Sequence, residues 1–424
     1  MRQQTPAPPL YRNRDFVLLW SGASVSNLGS NCSAVAYPLL VLALTGSPAD
    51  AGLTGFVALL PQLIFQLPAG AFADRWNRKQ VMIWCDGLRA VAIGSLVVAL
   101  LAWHLSVAQI LIVGFVEGTI TVCYKIAASA AVPNVVHLSQ LTVAVSRNEA
   151  RVRGATMAGQ PLGGALFGVA EAAPFLFDAL SYVASLATLL LIRADFQASG
   201  KNASARRPPA LRQMREGLVW LWHQPFLRMT TLLIAGSNMM FQMLFLSVIV
   251  VVRHGGARPA AIGLVFGIAG AGGVLGSVIA PKVRQRLSMR AVVVGTNCVW
   301  AILVPVIAVL RDPYEIGVVY ALMFFVGPIW NVVLAGYQLA VTPDAIRGRV
   351  LSAVSLVAYG AIPLGSLLGG LMLSRFGTGP TMWSLTALML LLVITAIASP
   401  AVRSAPDARA SKQGAEPEPV AAAR

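Results

Sequence analysis

Two carboxyls stand where hydrocarbon is expected. Glu117 interrupts the apolar run over 106–130, and Asp178 the run over 174–193. A charged side chain at the centre of a bilayer costs about 2.5–3.5 kcal/mol on insertion scales, so an acid in such a run marks a proton or ligand site by default. Thr121, Tyr124 and Lys125 follow Glu117 at helical spacing and extend a polar stripe. Glu117 and Lys125 are separated by about 12 Å of helical rise, too far for a direct ion pair. Two readings of Glu117 stand side by side. It is a protonatable or substrate-binding carboxyl facing a central cavity, or a neutral acid hydrogen-bonded between helices. Asp178 carries Ser181 and Tyr182 at i+3 and i+4, and Asp86 and Arg89 lie i, i+3 in the run over 80–102. The second pair is within mutual reach and reads as a structural or gating ion pair.

A different cluster, Gly70-Ala-Phe-Ala-Asp74-Arg75-Trp-Asn-Arg78-Lys79, packs four charges into six residues between two apolar runs. Arg and Lys stay hydrated, so this turn belongs at a membrane face. Other chemistry lacks its residues. His104, His137, His223 and His254 are isolated, and Cys32, Cys85, Cys123 and Cys298 show no paired spacing, so neither a metal site nor a disulfide framework is expected. No phosphate loop, dinucleotide fingerprint or nucleophile elbow occurs, which disfavours ATP-driven pumping and enzymatic catalysis and implies no cofactor.

The elements that position these residues are membrane spans. The chain is 57% hydrophobic and 11% charged, against about 25% charged in soluble domains. A spanning helix needs about 20 apolar residues. Twelve runs qualify: 16–44, 49–73, 80–102, 106–130, 149–171, 174–193, 227–252, 258–280, 290–310, 314–341, 348–373 and 378–399. This organisation predicts a tail over 1–15, a six-helix bundle over 16–193, and a basic loop over 194–226 with an amphipathic helix at Arg212–Trp222. A second six-helix bundle follows over 227–399, then a disordered tail over 400–424. With both ends cytoplasmic, inside segments hold 26 of the 32 Lys and Arg. That bias accounts for most of the net charge of +16 without nucleic acid. The halves echo each other: Pro48…Gly52-Leu53 is matched by Pro259…Gly263-Leu264, and Pro161-Leu-Gly163 by Pro363-Leu-Gly365. Such echoes favour a duplicated unit.

Twelve spans, a central basic loop and the Gly70–Lys79 turn together resemble the major facilitator superfamily, whose helix 2–3 motif is G-x-x-x-D-[RK]-x-G-R-[RK]. Gly70, Asp74, Arg75, Arg78 and Lys79 fit, and Asn77, which tolerates a left-handed backbone, stands where Gly is usual. Further stretches resemble the enterobactin-exporter and macrolide-efflux branch. They include Asn13-Arg14-Asp15-Phe16, Asp86-Gly-Leu-Arg89, Arg147-Asn148-Glu149-Ala150, Pro225-Phe226-Leu227-Arg228 and Ile346-Arg347-Gly348-Arg349. The branch implies an all-α, twelve-helix transporter of two pseudo-symmetric halves in a bacterial inner or plasma membrane. It implies export of an amphipathic antibiotic, macrolide-like or siderophore-like molecule by proton antiport, with the small molecule, protons and the bilayer as partners and a monomer as the working unit. The alternatives are an importer or uniporter of a polar metabolite, or a non-transporting sensor or scaffold.

The resemblance also assigns residues. Asp74 would latch the inner gate against helix eleven near Arg347 and Arg349. Spans one, four, seven and ten would line the cavity, nominating Asn27, Asn31, Tyr124, Asn238, Gln242, Trp330, Asn331 and Gln338, with interhelical hydrogen bonding as the equal alternative for each amide. Gly159, Pro161, Gly163 and Gly164 would pack span five closely, with Gln160 where drug antiporters tend to carry proline. Glu117 is the first choice for the coupling carboxyl. Asp178 is the second, a structural role being favoured for it because it recurs in the branch's pattern.

Overall fold

Helix ends are written into the sequence at most junctions. Pro225, Pro259 and Pro313 open helices where no backbone N–H is needed. Asn13, Asn77, Ser106, Ser288 and Asp312 each turn a side-chain oxygen back onto free N–H groups. Gly46, at φ 68°, ends the first helix in a conformation that glycine adopts without penalty. Asn77 is not left-handed. Its φ is −64° and it caps the helix that follows, accepting from the N–H groups of Lys79 and Gln80.

The computed structural model describes residues 9–102, 104–194, 196 and 210–404, excepting the side chains of 66–75, 138, 210, 211, 284 and 345. These residues are all-helical: α1 (Arg14–Thr45), α2 (Pro48–Arg75), α3 (Arg78–Leu101), α4 (Val107–Val135), α5 (Leu141–Val169), α6 (Ala173–Leu191), α7 (Ala210–Trp222), α8 (Pro225–His254), α9 (Pro259–Arg286), α10 (Met289–Val309), α11 (Pro313–Val341), α12 (Arg347–Phe376), α13 (Thr378–Ala398) and the short α14 (Pro400–Arg403). Of the tail expected to be disordered over 400–424, residues 400–403 form α14 and bury Val402, and the part beyond 404 lies outside the described residues. Among the described residues, eleven helices are long and apolar enough to cross a membrane. The twelfth, α5, starts at Leu141 rather than near 149. Its first half carries Arg147, Glu149, Arg151 and Arg153, so the helix continues beyond the apolar stretch that the expected span measured.

The halves, α1–α6 and α8–α13, meet along α2 with α12 and α5 with α9. Both contacts are made by glycine. A Cβ on Gly370 would lie 2.7 Å from the Gly52 Cα, and one on Gly263 would lie 2.9 Å from the Gly164 Cα. These seams are where the sequence echoes fall, since Gly52 and Gly263 occupy matching places in the two halves. The second echo behaves likewise: Gly163 packs on Cys32 of α1, and Gly365 on Met239 and Gln242 of α8. Such close approach leaves no room for a side chain.

The buried apolar residues distribute to match. Around the glycine seams one continuous core draws on both halves, from Val35–Leu42 of α1 to Tyr320 and Met323 of α11. Toward the face carrying Leu10 and Val402, the core divides. One cluster, with Phe16, Met82, Ala131 and Phe196, belongs to the first half. The other, with Phe226, Ala280, Trp330 and Val402, belongs to the second. The halves are thus joined at one face and separate toward the other.

Candidate functional site: a cavity between the halves

A cavity of about 540 Å³ lies between the halves. Tyr37, Gln62, Glu117 and Lys125 line it from the first half, and Asn238, Gln242, Phe241, Phe245 and Phe324 from the second. Past Asn238, Phe241 and Phe324 a second compartment of about 330 Å³ continues, walled by Arg153, Trp330 and Asn331.

Glu117 is held from two other helices. Tyr37 Oη of α1 donates to its Oε2 at 2.8 Å, and Tyr182 Oη of α6 donates to its Oε1 at 2.9 Å. The two tyrosines differ in what lies behind them. Tyr182 Oη also meets Ser30 Oγ at 2.9 Å, where either group can donate, and Ser30 Oγ reaches the Ser26 carbonyl at 3.0 Å. The Tyr37 hydroxyl has no second hydrogen-bond partner among the described residues. A proton arriving on Oε1 can therefore be absorbed by reversing the bonds along Tyr182 and Ser30. A proton on Oε2 would leave the Tyr37 hydrogen without an acceptor.

Asp178 is buried beside this group and does not line the cavity. Its Oδ2 accepts from Ser33 Oγ at 2.7 Å, and Ser181 Oγ donates to its backbone carbonyl at 2.7 Å. Asp86 and Arg89 pair in the interior. The Arg89 guanidinium also lies between two aromatic faces, 4.3 Å from the Tyr124 ring centre and 4.4 Å from that of Tyr182. Desolvated cation–π contacts contribute about 2 kcal/mol or more, so Arg89 fixes the ring that presents a hydroxyl to Glu117.

Several expected cavity residues lie elsewhere. Asn31 donates to the Asn27 carbonyl at 2.7 Å and packs on Gly159, so the α1 wall is Ser30, Ala34, Tyr37 and Pro38 instead. Tyr124 is buried under Arg89 with its hydroxyl 3.5 Å from Ser185 Oγ. Gln338 lies outside both compartments, and its amide nitrogen is buried without a hydrogen-bond partner among the described residues. Asn238 lines the cavity while donating to the Ala358 carbonyl at 2.7 Å. Sequence reasoning passed over Tyr37 and Ser30. The signal was present: Ser26, Ser30, Ser33 and Tyr37 recur at helical spacing along one stripe of α1.

In the Gly70–Lys79 turn, the backbone of Gly70, Asp74 and Arg75 falls in α2, and their side chains lie outside the described residues. Arg78 donates to the Ala130 carbonyl at 2.8 Å, and Lys79 to the Ile192 carbonyl at 2.6 Å. These cations tie α3 to the ends of α4 and α6. Arg347 pairs with Asp344. Arg349 pairs at 2.6 Å with Glu216 of α7, the connecting helix, and the side chain of its expected partner Asp74 lies outside the described residues. Gly217 lies flat against the Arg349 backbone beside that pair.

A family model described as transmembrane secretion effector matches residues 4–423. The chain belongs to that family. It is a multi-pass membrane transporter of the major facilitator group. Within the curated relatives, the multidrug efflux pump Tap of Mycolicibacterium fortuitum is 26% identical over 401 residues, spanning 92% of this chain and 96% of the pump. Macrolide efflux protein A of Streptococcus pyogenes is 24% identical over 389 residues, spanning 90% and 94%. The solved nucleoside transporter NupG shares the fold with a TM-score of 0.72 at 11% identity, over 91% of this chain and 98% of NupG.

Proposed function

We propose that this family member is a secondary active exporter of amphipathic small molecules, working by alternating access and driven by protons entering through Glu117. The observation that carries the reading is a carboxyl on the wall of an inter-half cavity, held by hydroxyls from two further helices. The efflux activities named for the Tap and macrolide relatives support the direction of transport. The excess of Lys and Arg on the face bearing the chain ends supports placing that face, and both termini, in the cytoplasm.

On this reading the structure is open inward, with the glycine seams closing the outside. Substrate enters from the cytoplasm or inner leaflet and rests between the amides and phenylalanines. The halves then rock, the seams part and substrate leaves. A proton from outside attaches to Glu117 Oε1, which turns from acceptor to donor toward Tyr182 Oη, and Tyr182 in turn donates to Ser30 Oγ. The rearranged bonds cross α4, α6 and α1, which gives the proton a hold on helix positions. Return to the inward form releases the proton into the cytoplasm. Each charge crossing 100 mV contributes about 2.3 kcal/mol, enough for a gradient of roughly fifty-fold.

Everted membrane vesicles with an acid interior test this. Wild-type protein is expected to raise the uptake of an amphiphilic dye and to dissipate the pH gradient as dye enters. Dye uptake that persists unchanged after nigericin and valinomycin together collapse the pH gradient and the potential would overturn proton coupling.

A further inference from the structure

The charges that the cavity presents to a ligand are unequal. Both oxygens of Glu117 already hold tyrosine hydroxyls. Lys125 is exposed on the same wall, two turns along α4, and makes no ion pair or hydrogen bond among the described residues. Other cations of the chain are engaged: Arg89 by Asp86, Arg78 and Lys79 by backbone carbonyls, Arg349 by Glu216. An ammonium on the wall of a membrane cavity is costly without a counter-charge, and no carboxylate among the described residues pairs with it. Across from it stands an aromatic wall. Phe241 meets Phe324 edge-on at 5.7 Å between ring centres, and Phe245 packs on Phe266 at 4.7 Å. The second compartment adds a further cation, Arg153, and no acid.

We propose that the cavity is a site for small amphipathic organic anions, with Lys125 holding the acid group and Phe241, Phe245 and Phe324 taking the apolar body. The inference rests on reading the cavity as the transport site and names the substrate class. An organic cation meets an unpaired ammonium there, a neutral amphiphile leaves it uncompensated, and an anion neutralises it. Export of a monoanion against one entering proton also moves two charges in the favourable direction, so the membrane potential would drive anion export more strongly than export of a neutral analogue.

The test uses the full chain in phosphatidylcholine nanodiscs and three probes: anilinonaphthalene sulfonate, its uncharged analogue N-phenylnaphthylamine, and the cation ethidium. Isothermal titration is read after subtraction of empty nanodiscs. The wild type is expected to bind the sulfonate at least tenfold more tightly than the uncharged analogue, and ethidium weakest. Lys125→Gln should erase the tenfold preference while keeping affinity for the uncharged analogue, and Lys125→Arg should keep the preference. Equal binding of all three probes, or a preference that survives Lys125→Gln, overturns the anion assignment and leaves the exporter reading standing. Binding of none of them removes both. A sulfonate preference that disappears when the nanodisc lipid is changed to phosphatidylglycerol would give Lys125 to a lipid headgroup and overturn the small-molecule assignment.

Discussion

Adding one methyl group at Gly370 should open the outer face. A Cβ there would lie 2.7 Å from the Gly52 Cα and 2.5 Å from the Pro48 carbonyl oxygen. Carbon atoms rest at about 3.5–4.0 Å, so α2 and α12 would have to part by about 1 Å at this seam. Inserting a methyl into a packed contact costs about 1–3 kcal/mol. In the proposed alternating-access cycle that cost falls on the closed-outside form alone, because the seam would separate when the halves rock. A penalty of this size shifts the balance between the two forms about 5- to 150-fold toward outward-open. Gly263→Ala acts on the other seam, where the Cβ would meet Gly164 Cα at 2.9 Å, and the two effects should roughly add. Gly168→Ala is the control, since its Cβ would meet Ala260 N at an ordinary 3.8 Å. Ala51, buried on the cavity wall beside the seam, can carry a reporter cysteine in a background without the four native ones. Labelling of that cysteine by an impermeant maleimide from outside should rise at least fivefold with Gly370→Ala and stay unchanged with Gly168→Ala. Equal labelling of Gly370→Ala and the parent would refute the seam as the outer closure.

Three further outcomes follow from the same contacts. Tyr182→Phe removes the reversible hydroxyl chain and should slow substrate-driven proton flux about tenfold or more, as expected for a bond to a charged group. Tyr37→Phe should cost less, and equal losses in a pH-dye assay would contradict the asymmetry between the two oxygens. Arg89→Gln strands Asp86 in the interior, at about 3–5 kcal/mol. Folded yield and melting temperature should fall and partly recover in the double variant with Asp86→Asn; a single variant that melts like the wild type would discount the pair. At α7, the Glu216–Arg349 pair is partly exposed and screened, so Glu216→Gln should change little, within about 1 kcal/mol. Gly217→Ala pushes a methyl to 2.6 Å from the Arg349 carbonyl carbon and should raise trypsin cleavage in the 194–226 segment well above that of Glu216→Gln. The reverse order would assign the docking of α7 to the ion pair.

Glu117 was legible because an acid within an apolar run violates composition wherever the helix faces. Its partners were not, since Tyr37 and Tyr182 lie 80 and 65 residues away and meet it only through packing. The cavity face of α1 was misassigned to Asn27 and Asn31 because that helix is apolar on most sides and offers little asymmetry to orient it. Amides drew attention, while a serine–tyrosine stripe on an adjacent face carried the contact. The echoed Pro48…Gly52 and Pro259…Gly263 segments were visible as repeats. That Gly52 meets Gly370, and Gly263 meets Gly164, depends on how the halves dock, which no local pattern encodes. Arg349 shows the same limit: its place near a gate came from resemblance, and its carboxylate partner Glu216 sits 133 residues away on the connecting helix.

Glu117→Gln in sealed proteoliposomes tests the coupling claim most directly. Glutamine keeps an oxygen for one tyrosine hydroxyl and cannot exchange a proton. The account predicts that, with no pH gradient, the variant still exchanges labelled for unlabelled amphiphile near the wild-type rate. An imposed gradient should then produce no accumulation and no proton movement. A variant that still moves protons with substrate in the wild-type ratio would contradict the account.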